Sequence, residues 1–439
     1  MVELKLDLRT YCACDVFVAG GGPAGCAAAY AAAKQGAKVF LAEAIGCFGG
    51  MGTAGLVPFF TGYSDGVHTL CNGFGSLVFE RMEAYNGYGE AHGQRRTIKP
   101  EVLKRIYDDI MLESGASFQF EAKMVSVIKE GDRITHAVLS MADGLCAVKA
   151  KVFIDATGDG ILSTLAGAEY HLGNKDGKIM PSSLCSFWCG IDWEKFTPHR
   201  AELFETLKKA IESGEYFKIP DWHLTGVSQV NEDTGCGNVG HIFGLDATNP
   251  ESRTQGWLQG RRIMPEYQRF YRECVPGFEN AVVAGTASLL GVRESRRIVC
   301  DYTLVRDDFF QRRSFPDEIG HFAYGIDIHP YDSSYQEYLR FKNDFTAPGA
   351  RYDGTKGEHY GIPYRALAVK GIDNLLVAGR CISADNYMIA SIRVMPGCFI
   401  TGQAAGIAAS MSADGADNSV HSVDVEVLRN KLRAFGAYI

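Results

Sequence analysis

Between Asp15 and Glu43 the chain reads DVFVAGGGPAGCAAAYAAAKQGAKVFLAE, and this stretch restricts the fold more than any other. Val16 to Ala19 is a continuous apolar run, the pattern of a strand covered on both faces, and Val39 to Ala42 repeats it. An alanine-rich segment of helical character joins them, so the segment is a βαβ unit with parallel strands. Gly20, Gly22 and Gly25 stand at the spacing of the dinucleotide fingerprint, one each for the tight turn, the approach of a pyrophosphate and close helix-to-strand packing. Pro23 and Ala24 open the helix, where a missing N–H costs nothing. Exposed amides and the helix dipole there suit a diphosphate. Glu43, with Ala44 after it, ends the second strand, where a carboxylate accepts both hydroxyls of an adenosine ribose and disfavours a 2'-phosphate.

The rest of the chain bounds what surrounds this unit. Its 439 residues predict two or three lobes. Hydrophobic residues at 46% and charged residues at 22% place it with folded globular proteins. A net charge of -8 without a basic stripe argues against a nucleic-acid partner. The longest apolar run, Cys26 to Ala33, is too short to span a bilayer, so no membrane partner is expected. The thirteen cysteines and the opening MVELKLDLRT, which lacks the apolar core of a secretion signal, predict reduced thiols and a cytoplasmic location. No cysteine spacing suits a metal or iron–sulfur site. Association into an oligomer is left open.

Along the chain, a glycine-rich loop runs from Gly46 to Gly55, followed by a helix from Lys99 to Ser114 stopped by Gly115. Three β segments, Phe118 to Lys129, Ile134 to Met141 and Val148 to Ile154, form a small meander returning to the parallel sheet. A short strand from Asn374 to Gly379, a small-residue helix from Gly397 to Met411 and an amphipathic helix from Val423 to Phe435 close the chain. The expected architecture is α/β: a Rossmann-type three-layer domain built discontinuously from residues 1–45, 99–168 and 369–439. A cofactor loop and crossover occupies 46–98, and an inserted α+β substrate lobe occupies 169–368.

Four further motifs extend the pattern: CFGGMGTAG after Glu43, VFIDATGDG from Val152, GVRESRRI from Gly291, and NLLVAGRCISA paired with RVMPGCFITGQAAGIAA. With the fingerprint they resemble the FAD-dependent oxidoreductase family of the two-dinucleotide-binding-domain flavoproteins, which have a glutathione-reductase-like FAD fold. The resemblance covers nearly the whole chain. It implies FAD as cofactor, with Gly49, Gly50, Met51 and Thr53 beside the ribityl chain. Ala156, Thr157, Gly158 and Asp159 would approach the cofactor, and Met124 and Val125 would meet adenine through their backbone.

The C-terminal motif also carries a physical argument. A strand ending at Gly379 and a helix starting near Gly397, with Val394 and Met395 just before it, leave amides facing the first helix's ligand, where they and Arg393 would stabilise negative charge on a reduced flavin. Arg380, after the strand end, is readable as a partner of the diphosphate.

Candidate catalytic residues are fewer. Arg293 could hold a substrate carboxylate or hydroxyl, although Arg293, Glu294, Arg296 and Arg297 are also readable as a buried ion-pair network. Strand alternation predicts that Arg293 and Glu294 point to opposite faces. Tyr364 and Arg365, in IPYRAL, resemble the family segment bordering the ring. His241 and His359 lie beside glycines in the substrate lobe, and His68, His321 and His329 lie in loops. They form no motif, and His241 is carried forward as the candidate base. These features together predict an FAD enzyme passing a hydride between a small organic substrate (an alcohol, amine or sugar-like donor) and the flavin, with an external electron acceptor or donor. Reduction of an activated double bond, direct NAD-dependent dehydrogenation and a non-catalytic flavin-binding redox sensor are the alternatives.

Overall fold

The computed structural model describes residues 7–92, 95–223, 225–350 and 356–439. The first six residues of the opening segment lie outside these. Five strands form a parallel sheet in the spatial order Ser117–Gln119, Val39–Ala42, Arg9–Ala19, Gly144–Asp155 and Leu375–Val377. Its centre is wholly buried, with Val16 beside both Val39 and Val152. This accounts for the unbroken apolar runs in the sequence.

Gly144–Asp155 is long enough to serve two neighbours along the edge away from Arg9–Ala19. Its first half pairs antiparallel with Arg133–Met141, which pairs in turn with Lys123–Glu130, and its last three residues pair with Leu375–Val377. The meander is therefore continuous with the sheet. The expected single segment Phe118 to Lys129 is divided instead: Ser117–Gln119 joins the parallel strands and Lys123–Glu130 the meander.

Helices Pro23–Lys34 and Met395–Asp414 pack on each other and cover the sheet, and Pro100–Ser114 packs against Pro23–Lys34. Met395–Asp414 is buried on nearly every side. Its small residues permit backbone-to-backbone approach: a Cβ on Gly402 would stand 2.2 Å from the Ala24 carbonyl oxygen, and one on Gly406 2.2 Å from that of Ala28.

The region expected as one inserted lobe is divided by its packing. A second core, running from Trp188 to Ala281, joins a four-stranded antiparallel sheet to the helix Pro250–Cys274. Most buried hydrophobic residues from Ile298 to Val369, among them Leu304, Phe309, Phe322, Tyr360 and Leu367, belong to the first core, with the parallel sheet. No single helix among the described residues is long and apolar enough to cross a membrane.

Candidate functional site

The fingerprint turn is shaped by contacts that only glycine allows. Gly20 has φ +93°, and a Cβ there would lie 2.7 Å from the Ala156 carbonyl oxygen. A Cβ on Gly25 would stand 1.7 Å from the Gly20 carbonyl oxygen. At Gly22 it would meet nothing within 4 Å, so this glycine borders open ground at the helix N-terminus. No side chain caps that terminus. Glu43 is buried beside it and accepts from the Gly21 N–H at 2.5 Å and the Ile45 N–H at 2.9 Å. Burial raises its carboxyl above the usual range, against the pull of these N–H groups.

The second helix N-terminus lies on the same side of the molecule. Ala24 rests on Gly402 and Ala28 on Gly406, so the two helices run parallel. Gly402 is seven residues beyond Met395 and Ala24 one beyond Pro23; the second terminus therefore projects six residues, about 9 Å, past the first. It too has no side-chain cap. The 3-10 turn Gly50–Gly52 spans the gap: a Cβ on Gly50 would lie 3.2 Å from Gly22 Cα, and one on Gly52 2.7 Å from Met395 Sδ. Thr53 pins this turn by donating to the Phe48 carbonyl at 2.5 Å. These elements suit the extended dinucleotide of the family: Gly22 would face its diphosphate, and Gly50 and Met51 would run beside its ribityl chain toward Met395.

Gly379 closes the floor between the helices, since a Cβ there would lie 2.9 Å from Ala24 Cβ. Its N–H donates to Thr401 Oγ1 at 3.1 Å. The ladder shifts register between Met124 and Ser126, leaving Val125 at a bulge with its backbone outside the regular pairing. Ala44 is exposed. Thr157 is occupied locally: its hydroxyl donates to Asp155 at 2.7 Å and accepts from the Ile161 N–H at 2.9 Å.

Arg380 departs from expectation. It pairs with Asp159 at 2.7 Å and donates to Ser295 Oγ at 2.9 Å, while Arg253 reaches the other Asp159 oxygen at 3.1 Å. Burial opposes ionisation of Asp159, yet Arg380 and Arg253 hold its carboxyl below the usual range. A guanidinium so engaged positions the Gly158–Asp159 loop and is not spare for a diphosphate.

Beyond Met395 lies a buried line of imidazoles and carboxylates. Asp221 Oδ1 faces His241 Nδ1 at 3.1 Å, His241 Nε2 faces His329 Nδ1 at 2.8 Å, and His329 Nε2 faces Asp327 Oδ2 at 3.3 Å. Asp327 Oδ2 also accepts from Tyr324 at 3.2 Å and from Arg393 Nη2 at 3.3 Å. Arg393 immediately precedes Val394 at the helix start, so the line ends beside the dinucleotide track. Gly240, at φ +74°, turns the chain to present His241. Pro330 favours extended backbone at His329, which sets Asp327 and His329 on one side.

Burial dominates the electrostatics of this group. It lowers His241, pushes His329 well below the ordinary imidazole value and brings His223, which packs on Phe341, to about 4. Against burial, His241 draws Asp221 down to about 2, and His329 with Arg393 draws Asp327 far below the carboxylate range. Arg293 is buried too, its pKa lowered to about 10 first by burial and then by Arg393. Its Nη1 donates to the Pro181 carbonyl at 2.9 Å and Ser183 Oγ at 3.0 Å. Its Nε and Nη2 have no protein acceptor among the described residues.

A family model described as FAD dependent oxidoreductase matches residues 15–432. The chain belongs to that family. No curated protein sequence matches this FAD-dependent oxidoreductase. Among solved structures it is similar to a geranylgeranyl bacteriochlorophyll reductase-like protein from Thermoplasma acidophilum, at 13% identity and TM-score 0.49 over 97% of this chain and 84% of that one. It is also similar to L-proline dehydrogenase from P. horikoshii, at 10% identity and TM-score 0.45 over 91% and 93%. A flavin-dependent brominase aligns at 14% identity and TM-score 0.43 over 96% and 83%.

In this oxidoreductase the GVRESRRI motif is not a strand before Arg297, and it divides between the two readings open to it. Glu294 pairs with Arg297 and accepts from the Met180 N–H, forming the buried ion pair. Arg293 departs toward the histidines. Tyr364 is a correction: its ring is buried and its hydroxyl donates to the Val420 carbonyl at 2.7 Å, so it is a packing residue rather than a catalytic one. Arg365 pairs with Asp317. His68 and His359 gather on Asp65, with His321 packed against His359 and paired with Glu318, apart from the His241 line.

Asp221, His223, Asp327 and the role of His329 escaped sequence reasoning. Two Asp-x-His triplets, Asp221-Trp222-His223 and Asp327-Ile328-His329, were the available signal. In the first, the His223 N–H closes a turn on the Asp221 carboxylate at 3.1 Å, and in the second Asp327 Oδ2 faces the His329 ring at 3.3 Å.

Proposed function

We propose that this oxidoreductase oxidises a small organic substrate, an alcohol, amine or sugar-like donor, at a C–H bond beside Arg393. The observation that carries this reading is the buried Asp221, His241, His329, Asp327 line, which ends on the arginine preceding the second helix N-terminus. FAD, when bound along Gly22, Gly50 and Met395, supplies the acceptor for a hydride.

The residues of the chain supply the rest. Arg293 offers two unused N–H directions to a substrate oxygen or carboxylate. The neutral imidazoles of His241 and His329 provide base capacity for the proton that leaves the substrate heteroatom. The uncapped terminus at Met395, with Arg393, favours the negative charge that reduction brings. Glu43 and the Gly22 amides anchor the adenosine diphosphate portion. Electrons then leave to an external acceptor.

Anaerobic mixing of the FAD-loaded protein with alcohols, amines, amino acids and sugars, followed at the flavin absorbance, tests the reading. Bleaching by one donor class, lost in Arg293→Met, is the expected result. Bleaching by nicotinamide nucleotides alone, followed by reoxidation with an activated alkene, would replace it with the double-bond reductase.

A further inference from the structure

The line from Asp221 to Asp327 has three gaps, and each hydrogen bond needs one proton. Two neutral imidazoles carry two protons. With both carboxylates ionised, one gap must be empty, and the separations indicate which: 3.1 Å at Asp221–His241, 2.8 Å at His241–His329 and 3.3 Å at His329–Asp327. The longest gap faces two lone pairs, and Asp327 Oδ2 is compensated there by donors from Tyr324 and Arg393. Asp221 receives N–H groups from His241 and His223 at 2.7 and 3.1 Å, so its oxygens are fixed as acceptors and His241 must present Nδ1–H. His241 Nε2 is then an acceptor, and His329 must donate from Nδ1.

We infer that Asp221 sets both histidine tautomers and thereby exposes His329 Nε2 as a proton acceptor, with His241 as a relay that carries the acquired charge inward. A substrate O–H or N–H proton adds to His329 Nε2, and the electron pair of the broken bond stays on the substrate heteroatom. The Nδ1 proton of His329 then passes to His241 Nε2, leaving an imidazolium against the Asp221 carboxylate. One proton enters and none leaves. The charged and titratable groups facing the line are Asp221, His223, Tyr267, Arg293, Tyr324, Asp327 and Arg393. Arg293 opposes the incoming charge at His329, whereas the two carboxylates favour it.

The role of acceptor rests on the reading that chemistry occurs beside Arg393; the tautomers do not. They are measured without substrate by long-range proton–nitrogen correlation of the 15N-histidine-labelled, FAD-loaded protein. The expected result is Nδ1–H on both His241 and His329 near neutral pH, with both rings shifting at a single midpoint on acidification. Nε2–H on His329, or two separate midpoints, would overturn the relay. In Asp221→Ala, His241 Nδ1 loses its acceptor, and the expected consequence is that the His329 proton is no longer confined to Nδ1, its signal becoming a mixture of the two tautomers. An unchanged His329 signal in a folded Asp221→Ala protein would equally overturn it. Correct tautomers together with no bleaching by any alcohol or amine would sink the substrate reading and leave the proton line intact.

Discussion

Gly22→Ala separates cofactor binding from folding, because the space at this glycine is empty of protein. Gly22 has φ -69° and ψ -174°, values that alanine adopts freely. Restricting the unfolded chain is worth about 0.4–1 kcal/mol in favour of alanine. Alanine is the poorer N-cap by a comparable amount, about 0.5–1 kcal/mol, so the apoprotein is expected to change stability by less than about 0.5 kcal/mol. The added methyl occupies the seat of the diphosphate. If affinity for FAD falls about a hundredfold, FAD supplied at a hundred times the wild-type Kd stabilises by about 0.4 kcal/mol instead of about 2.7 kcal/mol. At ~2.1 cal/mol/K per residue the unfolding entropy of 439 residues is about 0.9 kcal/mol/K, so the FAD-induced rise in Tm shrinks from about 3 °C to less than about 1 °C. Scanning fluorimetry with and without FAD, with flavin titration for Kd, reads both quantities. Gly25→Ala is the control: its Cβ would stand 1.7 Å from the Gly20 oxygen, and a loss of about 3 kcal/mol is expected without any ligand. Equal destabilisation of the two apoproteins, or unchanged FAD affinity in Gly22→Ala, would refute the placement of the diphosphate.

Asp159→Asn removes the carboxylate shared by Arg380 and Arg253, and chemical denaturation is expected to show a loss of about 3 kcal/mol; a loss under about 0.5 kcal/mol would deny that this knot holds the Gly158 loop. Glu43→Gln turns an amide NH2 against one of two backbone N–H groups and is expected to cost about 1–2 kcal/mol and to weaken FAD binding about tenfold by titration. Asp221 is held at about 2 against an ordinary 3.8, so its contribution is present above pH 3.8 and is lost as pH falls through about 2. The shift corresponds to about 2 kcal/mol. Asp221→Asn is therefore expected to be less stable than the parent at pH 6 by about that amount, with the difference narrowing steadily in acid denaturation curves; a pH-independent difference would exclude ionisation as its source.

The βαβ unit, the fingerprint glycines and the helices Pro100–Ser114 and Met395–Asp414 were legible in the sequence, because each leaves a composition or periodicity that shows over a short stretch of chain. A fully buried strand needs an unbroken apolar run, a tight turn needs glycine at Gly20, and closely packed helices need small residues at Gly402 and Gly406. Periodicity could not divide Phe118 to Lys129, since the two strands it contains differ only in which neighbour each pairs with. Nor could it assign Ile298 to Val369 to the first core, which is decided by the surfaces those residues meet.

The amino-acid sequence by itself determined that a nucleotide-binding βαβ unit forms and that two strand-to-helix junctions present free amides. Tertiary structure alone decided that Arg380 is held by Asp159, that Tyr364 packs against Val420, and that His241 and His329, 88 residues apart, share a hydrogen bond. The physical reason is range: backbone conformation follows from neighbours along the chain, whereas a buried charge or imidazole takes its role from whichever partner the fold brings within about 3 Å.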